Sequence, residues 1–229
     1  MKTKNIFKLI VALLMFFGGS IVISLFLRSI GMDLTALDAK DESYLDCLIY
    51  GIYGGVIYLL YHRTFKDDFN KIREDKKFTN TLFKYFAIFF VIKIASAIVT
   101  GIIGSAFGME IGDSENQEAL IKMLEASPLM MVISSSLFAP IVEEGIFRLG
   151  FRKVIDNKKV FIIISGLIFG FMHIFPTDLS ISIALTYSIS YVSIGIALAY
   201  IYVDTDNIWY PILIHGLNNF LSLLLIILM

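Results

Sequence analysis

Cysteine and charged residues are both scarce in this sequence of 229 residues. The single cysteine, Cys47, lies inside an apolar segment, which excludes a disulfide framework and a thiolate zinc cluster. We interpret it as a small buried hydrophobic residue. Only 17% of the residues are charged, the net charge is -1, and we expect no nucleic-acid partner. The sequence also lacks internal repeats, low-complexity tracts and linkers rich in Pro, Gly or Ser, so we predict a single domain, residues 1–229.

Hydrophobic residues, in contrast, make up 57% of the chain, and the mean hydropathy is +0.79. Such a composition is far from that of a soluble domain and requires lipid as the solvent. A helix of roughly 20 residues crosses a hydrocarbon core about 30 Å thick. The sequence therefore predicts an all-α, polytopic transmembrane helix bundle. Seven spans are expected, near residues 6–27, 44–61, 82–107, 128–147, 160–175, 180–203 and 208–228.

Basic residues are concentrated at alternate ends of these spans. They precede the first span and follow the second and the fourth: Lys2, Lys4, Lys8; Arg63, Lys66, Lys71, Arg73, Lys76, Lys77; and Arg152, Lys153, Lys158, Lys159. The other connections, 33–42, 110–125 and 176–178, are acidic or nearly uncharged. By the positive-inside rule the N-terminus is expected in the cytoplasm and, with seven spans, the C-terminus outside.

Three further segments each lead to a structural prediction. The first apolar run is about twice as long as a signal-peptide h-region and ends at Arg28 without a small-residue cleavage site, so we predict a retained helix. Residues 62–81 alternate acids with bases and predict a cytoplasmic amphipathic loop or short helix. In the connection 108–127, apolar residues at helical spacing, Leu120, Ile121 and Leu124, predict an outer-surface helix that lies on the bundle.

Two adjacent carboxylates, Glu143 and Glu144, end the apolar run of the fourth span. A charged residue at the centre of a membrane helix costs about 2.5–3.5 kcal/mol, so such residues require a reason. Arg148 is four residues after Glu144 and can pair with it on one helix face, whereas Glu143 lies about 100° around the helix without a local partner. The three charges could merely flank the cytoplasmic end of the span. Pro140 argues against that, because a proline frees a backbone carbonyl and kinks the helix, as is common beside a cavity.

Two of the three histidines lie within predicted spans. His173 is near the end of the fifth span, and His215 is near the start of the seventh, one turn before Asn219 on the same face. A single intramembrane histidine is more often a packed core residue than a catalyst. Because both histidines can reach the span that carries the glutamates, the sequence instead favours a shared polar site.

The depths of these residues test whether they can meet. If the fourth helix ended at Arg148, Glu143 would lie about 7.5 Å from its inner end while His173 lay about 21 Å deep. A helix that continues to about Ile155, with 156–158 as the turn, places Glu143 about 18 Å deep and nearly level with His173. We therefore predict a long, kinked fourth helix with Arg148 inside the protein.

The three polar segments together resemble the motifs of the CAAX-protease and bacteriocin-processing family (CPBP, or Abi), E-E-x-x-x-R, F-x-x-x-H and H-x-x-x-N. They stand here as Glu143-Glu144-Gly-Ile-Phe-Arg148, Phe169-Gly-Phe-Met-His173 and His215-Gly-Leu-Asn218-Asn219. The resemblance covers about residues 128–220 and implies an intramembrane glutamic endopeptidase without a cofactor. Relatives of this family can have eight spans, so the resemblance leaves the helix count of the first half open.

The resemblance also implies a role for each motif residue. Glu143 would be the general base and His173 would help it to activate water. His215 and Asn219 would stabilise the oxyanion of the tetrahedral intermediate. Supporting or substrate-contacting residues would be Glu144, Arg148 and Phe169. A site of low dielectric constant suits this division, because a buried carboxylate becomes a better base and aimed donors become stronger.

Other functions remain open at this stage. A zinc protease could use Glu143, His173 and His215 as ligands, although the sequence lacks H-E-x-x-H and this reading leaves Asn219 without a purpose. A non-catalytic scaffold, immunity factor or regulator of the same family is a second alternative, which the intact motifs disfavour. A transporter is a third, but no paired or repeated broken helices support it.

The expected partners and location follow from the family resemblance. The expected surroundings are the lipids of a prokaryotic cell membrane. The implied substrates are membrane-associated peptides or lipidated proteins, namely prenylated C-terminal peptides, bacteriocin leaders or peptide-pheromone precursors. The sequence does not choose among them.

Overall fold

The computed structural model describes residues 2–32, 36–109, 115–174 and 181–228, with the backbone alone for 115–120. Within these ranges the chain forms helices and no strand, which confirms the all-α prediction. The predicted connection 176–178 lies outside the described residues. Eight helices are seen: α1 (Lys2–Ser29), α2 (Ala39–Glu74), α3 (Phe78–Ala106), α4 (Glu115–Ala126), α5 (Pro128–Gly150), α6 (Lys158–Met172), α7 (Ile181–Thr205) and α8 (Trp209–Leu228).

Six of the described helices are long and apolar enough to cross a membrane: α1, α2, α3, α5, α7 and α8. They correspond to six of the seven predicted spans and confirm a polytopic helical bundle. The remaining prediction, 160–175, corresponds to α6, which has 15 residues and ends at Met172. At 1.5 Å per residue α6 is about 22 Å long, so it falls short of a full span on its own.

Several helix boundaries follow from capping side chains and from proline. Asp38 precedes α2 and accepts a hydrogen bond from the backbone N–H of Asp41, and Asn157 caps α6 by accepting from two backbone N–H groups. Such side chains satisfy donors that the first helical turn leaves unpaired. Pro128 occupies the first turn of α5, where its missing N–H costs nothing.

The second helix is longer than the sequence suggested. The segment 62–81, predicted as a loop or a short helix, mostly continues α2 as far as Glu74, with non-helical backbone angles only at Tyr61. The Lys8 ammonium of α1 donates to the carbonyl of Leu60 beside this kink. The membrane-spanning half and the basic half of α2 therefore form one continuous, kinked element.

Polar contacts bring the basic segments of the chain to one end of the bundle. Lys2 Nζ lies 2.8 Å from Asp156 Oδ2, in the turn between α5 and α6. Asp68, in the basic half of α2, accepts from the backbone N–H of Ile208 at 3.1 Å. The phenol of Tyr210 reaches Asp75 Oδ2 at 3.4 Å. This shared end is the one that the positive-inside rule assigns to the cytoplasm, an orientation that remains a prediction.

The central element is α5, whose apolar stretch is half buried within the protein, more than that of any other candidate span among the described residues. It alternates α-helical turns with two π-helical segments, Ser134–Phe138 and Gly145–Gly150. Helical backbone continues to Arg152, about one turn short of the predicted Ile155, and a turn follows. The irregularity expected beside Pro140 is thus a π-helical turn, a feature common at functional sites.

The outer connection contains the expected surface helix. The predicted segment 108–127 holds α4, which packs on α2 and α5. Leu124 is buried against Met131 and Leu223, as its helical spacing predicted. The side chain of Leu120 lies outside the described residues.

Candidate active site

Glu144 and Arg148 form a fully buried ion pair in α5. Arg148 Nε lies 2.9 Å from Glu144 Oε2, and neither side chain has exposed surface. Arg148 Nη2 also donates to the carbonyl of Gly195 in α7 at 3.3 Å. The predicted pairing and the burial of Arg148 are therefore both present. The pair can offset much of the cost of placing either charge in the bilayer.

Glu143 faces the two predicted histidines. Its Oε2 lies 3.8 Å from His173 Nε2 on α6 and 3.9 Å from His215 Nε2 on α8. Glu143 and His215 are buried, and the His173 side chain keeps 19% of its exposure. Within the described part of the chain, Glu143 Oε2 makes no hydrogen bond. A buried carboxylate oxygen without a donor, between two imidazoles, is suited to accept a proton.

Both imidazoles are oriented through their Nδ1 atoms. His173 Nδ1 lies 2.9 Å from the carbonyl oxygen of Phe169, and His215 Nδ1 lies 3.0 Å from Glu144 Oε1. A carbonyl and an ion-paired carboxylate only accept, so each Nδ1 carries the proton. In the neutral rings, both Nε2 lone pairs are therefore presented to Glu143. Glu144 supports His215 directly, a contact that the sequence did not predict.

Phe169 lies at the centre of this cluster and is 1% exposed. Its ring stacks under the Arg148 guanidinium at 4.4 Å and contacts the rings of His173 and His215 at 4.5 and 5.8 Å between centroids. The guanidinium gains a cation–π contact in place of water. Phe169 thus excludes water beneath the site and links the three motifs.

Close approach of α8 to α5 sets the position of His215. A Cβ added to Gly216 would lie 2.5 Å from the carbonyl oxygen of Ser136, so only glycine allows this contact. One turn beyond His215, Asn219 Nδ2 donates to the carbonyl of Ser135 at 2.8 Å. His215 and Asn219 thus both contact α5, His215 beside Glu143 and Asn219 through the Ser135 carbonyl.

Two intramembrane polar groups beside this cluster were not singled out from the sequence. Lys93 of α3 donates to the Asn218 side chain, and Asp46 of α2 accepts from the Ser134 hydroxyl. Lys93 is an isolated charge in an apolar run, the same signal that identified Glu143, whereas Asp46 lies one turn after Glu42 at the start of its span. Among the described residues, no group of three or more His, Cys, Asp or Glu side chains is arranged to hold a metal ion.

Comparison with known proteins agrees with the motif resemblance. Residues 125–221, which carry all three motifs, match the family described as "Type II CAAX prenyl endopeptidase Rce1-like". The chain is 33% identical over 134 residues to the Bacillus subtilis protein named "Putative membrane peptidase YdiL", an alignment covering 57% of this chain and 50% of the relative. No solved structure matches.

Two further relatives have less informative names. An uncharacterized protein of Mycoplasma capricolum is 30% identical over 154 residues, covering 59% of this chain and 44% of the relative. The UPF0177 protein YvdC of Lactococcus lactis is 27% identical over 143 residues, covering 61% and 50%. The chain thus spans about half the length of the curated relatives that it matches. The motif-bearing part of the chain is therefore similar to a family of CAAX-type endopeptidases and to a Bacillus protein named as a membrane peptidase.

Proposed function

We propose that this protein is an intramembrane glutamic endopeptidase that hydrolyses a peptide bond of a membrane-associated substrate. The observation that carries the proposal is the carboxylate of Glu143, buried, free of donors at Oε2 and faced by two oriented imidazoles. The match to a family of CAAX prenyl endopeptidases supports the reaction class.

In this proposal Glu143 is the general base. A water molecule between its carboxylate and the Nε2 atoms donates one proton to Glu143 and a hydrogen bond to the lone pair of His173. The resulting hydroxide attacks the scissile carbonyl carbon and forms a tetrahedral intermediate. Glu143 then passes its proton to the leaving nitrogen as the carbon–nitrogen bond breaks. The products are a new carboxyl terminus and an amine.

The oxyanion of the intermediate requires donors, which we assign to His215 and Asn219. Because His215 Nδ1–H is directed to Glu144, Nε2 can donate only when the ring is an imidazolium. Glu144 supplies the countercharge for that cation, as the buried carboxylate of a serine-protease triad does. With Arg148 included, the oxyanion and the Glu144 carboxylate then balance two cations inside the bilayer, while Glu143 holds the proton taken from water. Asn219 uses one N–H for Ser135 and retains the other for the substrate.

The test of this function is a comparison of cells that carry the wild-type protein or Glu143→Gln. We expect both proteins to insert and accumulate, and only the wild type to release new membrane-derived peptides, detected by peptidomics. Purified protein in detergent should then cleave the identified peptide, with prenylated C-terminal peptides, bacteriocin leaders and pheromone precursors assayed beside it. Full activity of Glu143→Gln would exclude Glu143 as the general base, because an amide cannot accept the water proton. Identical peptidomes would favour the scaffold or immunity function.

Zinc hydrolysis is the second candidate, and one observation favours it. Both Nε2 lone pairs face one carboxylate, and two imidazoles with one carboxylate are the ligand types of a catalytic zinc, although these three side chains would have to move to surround a metal ion. Zinc would then polarise the bound water in place of the Glu143 base. We expect activity to survive EDTA and phenanthroline. Loss of activity that stoichiometric zinc restores would replace the metal-free reaction with the zinc reaction.

A further inference from the structure

Lys93 is an ammonium group at membrane depth with neutral partners. It lies on α3, half-buried, and its Nζ donates to Asn218 Oδ1 at 2.6 Å and to Ser222 Oγ at 3.1 Å, both on α8. Among the described residues no carboxylate lies within ion-pair distance of it. A lysine near the centre of a membrane helix is costly to insert, so such a residue suggests a functional role. Two neutral acceptors offset only part of that cost.

The contacts of Lys93 continue as a chain of hydrogen bonds to the candidate oxyanion donor. Asn218 Nδ2 donates to Asn219 Oδ1 at 3.1 Å, and Asn219 Nδ2 donates to the carbonyl of Ser135 at 2.8 Å. The direction of the chain is fixed at both ends, because an ammonium only donates and a carbonyl only accepts. Both amides are therefore held in a single orientation.

The far end of the chain is a carbonyl that lacks its helical donor. Ser135 lies in the π-helical segment of α5, where a carbonyl accepts from the residue five positions later. That residue is Pro140, which has no N–H. Asn219 supplies the missing donor, so its amide is held against α5 by the hydrogen bond to the Ser135 carbonyl.

We propose that Lys93 is a positioning residue that acts through Asn218 to fix and polarise the Asn219 amide. The cation draws electron density along the chain, so the N–H of Asn218 donates more strongly and the free N–H of Asn219 becomes a stronger donor to the oxyanion. This inference rests on the proposed function. It gives the intramembrane ammonium a role that requires no direct contact with substrate.

Three variants distinguish a positioning role of Lys93 from a role in helix packing alone. Lys93→Met removes the charge and keeps the length of the side chain. Asn218→Asp keeps the acceptor for Lys93 but cannot donate to Asn219. Ser222→Ala removes the other partner of Lys93 and leaves the chain of amides intact. We expect the first two to lower kcat roughly 10- to 100-fold with KM and Tm near wild type, the range for a misplaced catalytic group. The third should stay within two-fold.

A second measurement, by NMR, detects changes at the Asn219 side-chain amide without requiring catalytic activity. In protein labelled with ¹⁵N-asparagine, the side-chain resonance of Asn219 is identified by its loss in Asn219→Ala. We expect it to shift in Lys93→Met and Asn218→Asp and to stay in place in Ser222→Ala.

The outcomes distinguish this inference from the proposed function. An unshifted Asn219 resonance, or normal kcat in Lys93→Met or Asn218→Asp, overturns the positioning role even if Asn219→Ala is slow. A fall in Tm that parallels the loss of activity, or an equal loss in Ser222→Ala, also overturns it in favour of packing. Inactive wild-type protein, or active Glu143→Gln, defeats the peptidase proposal instead, and the resonance shifts still decide whether Lys93 acts on Asn219.

Discussion

The imidazole of His215 donates from Nδ1 to Oε1 of Glu144 across 3.0 Å, between α8 and α5. The two adjacent glutamates of the motif therefore differ in environment. Glu144 is enclosed by Arg148 and His215, whereas Glu143 keeps an oxygen without a donor. One carboxylate is thus suited to orientation and the other to proton transfer.

We expect Glu144→Gln to lower kcat by up to about 10⁴-fold, the loss seen when the carboxylate that orients a catalytic histidine becomes an amide. The glutamine can still accept from His215, but it cannot balance an imidazolium. Steady-state kinetics on folded, purified protein measure the effect. Arg148→Gln is the matched control, since it breaks the ion pair and leaves the Glu144–His215 contact in place. Near-normal kcat in Glu144→Gln would contradict the orienting role.

The Glu144–Arg148 pair should be energetically coupled. Loss of either partner leaves an unmatched buried charge, at a cost of roughly 3–5 kcal/mol, so each single variant should accumulate poorly. Replacing both by glutamine should cost clearly less than the sum. A double-mutant cycle on thermal unfolding in detergent measures the coupling. The exposed pair of Lys2 and Asp156 provides a control cycle with little coupling. Strictly additive effects at Glu144 and Arg148 would rule out direct pairing.

Asn219 has two separable functions in this structure. Asn219→Ala should lower kcat by roughly 10²–10³, the usual loss for one oxyanion donor. Substrate affinity should change little, because the contact is made mainly in the transition state. The same change leaves the Ser135 carbonyl without a donor, which costs about 1–3 kcal/mol of stability.

Pro140→Ala allows the two functions to be measured independently. It gives the backbone an N–H for the Ser135 carbonyl, so Asn219→Ala should lower Tm much less in that background while kcat stays low. The oxyanion role would be contradicted if Asn219→Ala greatly lowered Tm but left kcat within a few-fold of wild type, and if Pro140→Ala then restored Tm.

The orientation of the bundle is also testable. In a Cys47→Ser background, Lys4→Cys and Lys158→Cys should resist an impermeant maleimide in intact cells. Glu125→Cys, on α4, should react. All three should react after permeabilisation. Labelling of Lys4→Cys in intact cells would reverse the predicted topology.

Most residues of the candidate site could be proposed from the sequence, because each is a polar or charged residue in an apolar run. Charges in apolar runs identified Glu143, Glu144 and Arg148, and the depth estimate placed Arg148 inside. The contacts of Asn219 were not predicted, because they depend on the π-helical register of α5 and on which helix α8 packs against. Neither feature can be read from the residues of a single span.

The length of α2 and the role of Lys93 were missed for different reasons. The segment 62–74 was predicted as a loop or a short helix because it is polar, yet it continues α2, where the Phe65 carbonyl accepts from Trp209 and Asp68 accepts from the backbone of Ile208. Lys93 had the same signal as Glu143, but its partners lie 125 and 129 residues away and are neutral. Only the fold brings them together.

The short length of α6 has a consequence for the surrounding bilayer. The helix is about 22 Å long against a hydrocarbon thickness of about 30 Å, and His173 stands at its end. A span that is too short is accommodated by local thinning of the membrane. We therefore expect the lipid–water boundary to dip towards His173, the most exposed of the three residues that face one another in the site. Water, the second reactant of a hydrolysis, would then have its shortest path to Glu143 along this side of the protein.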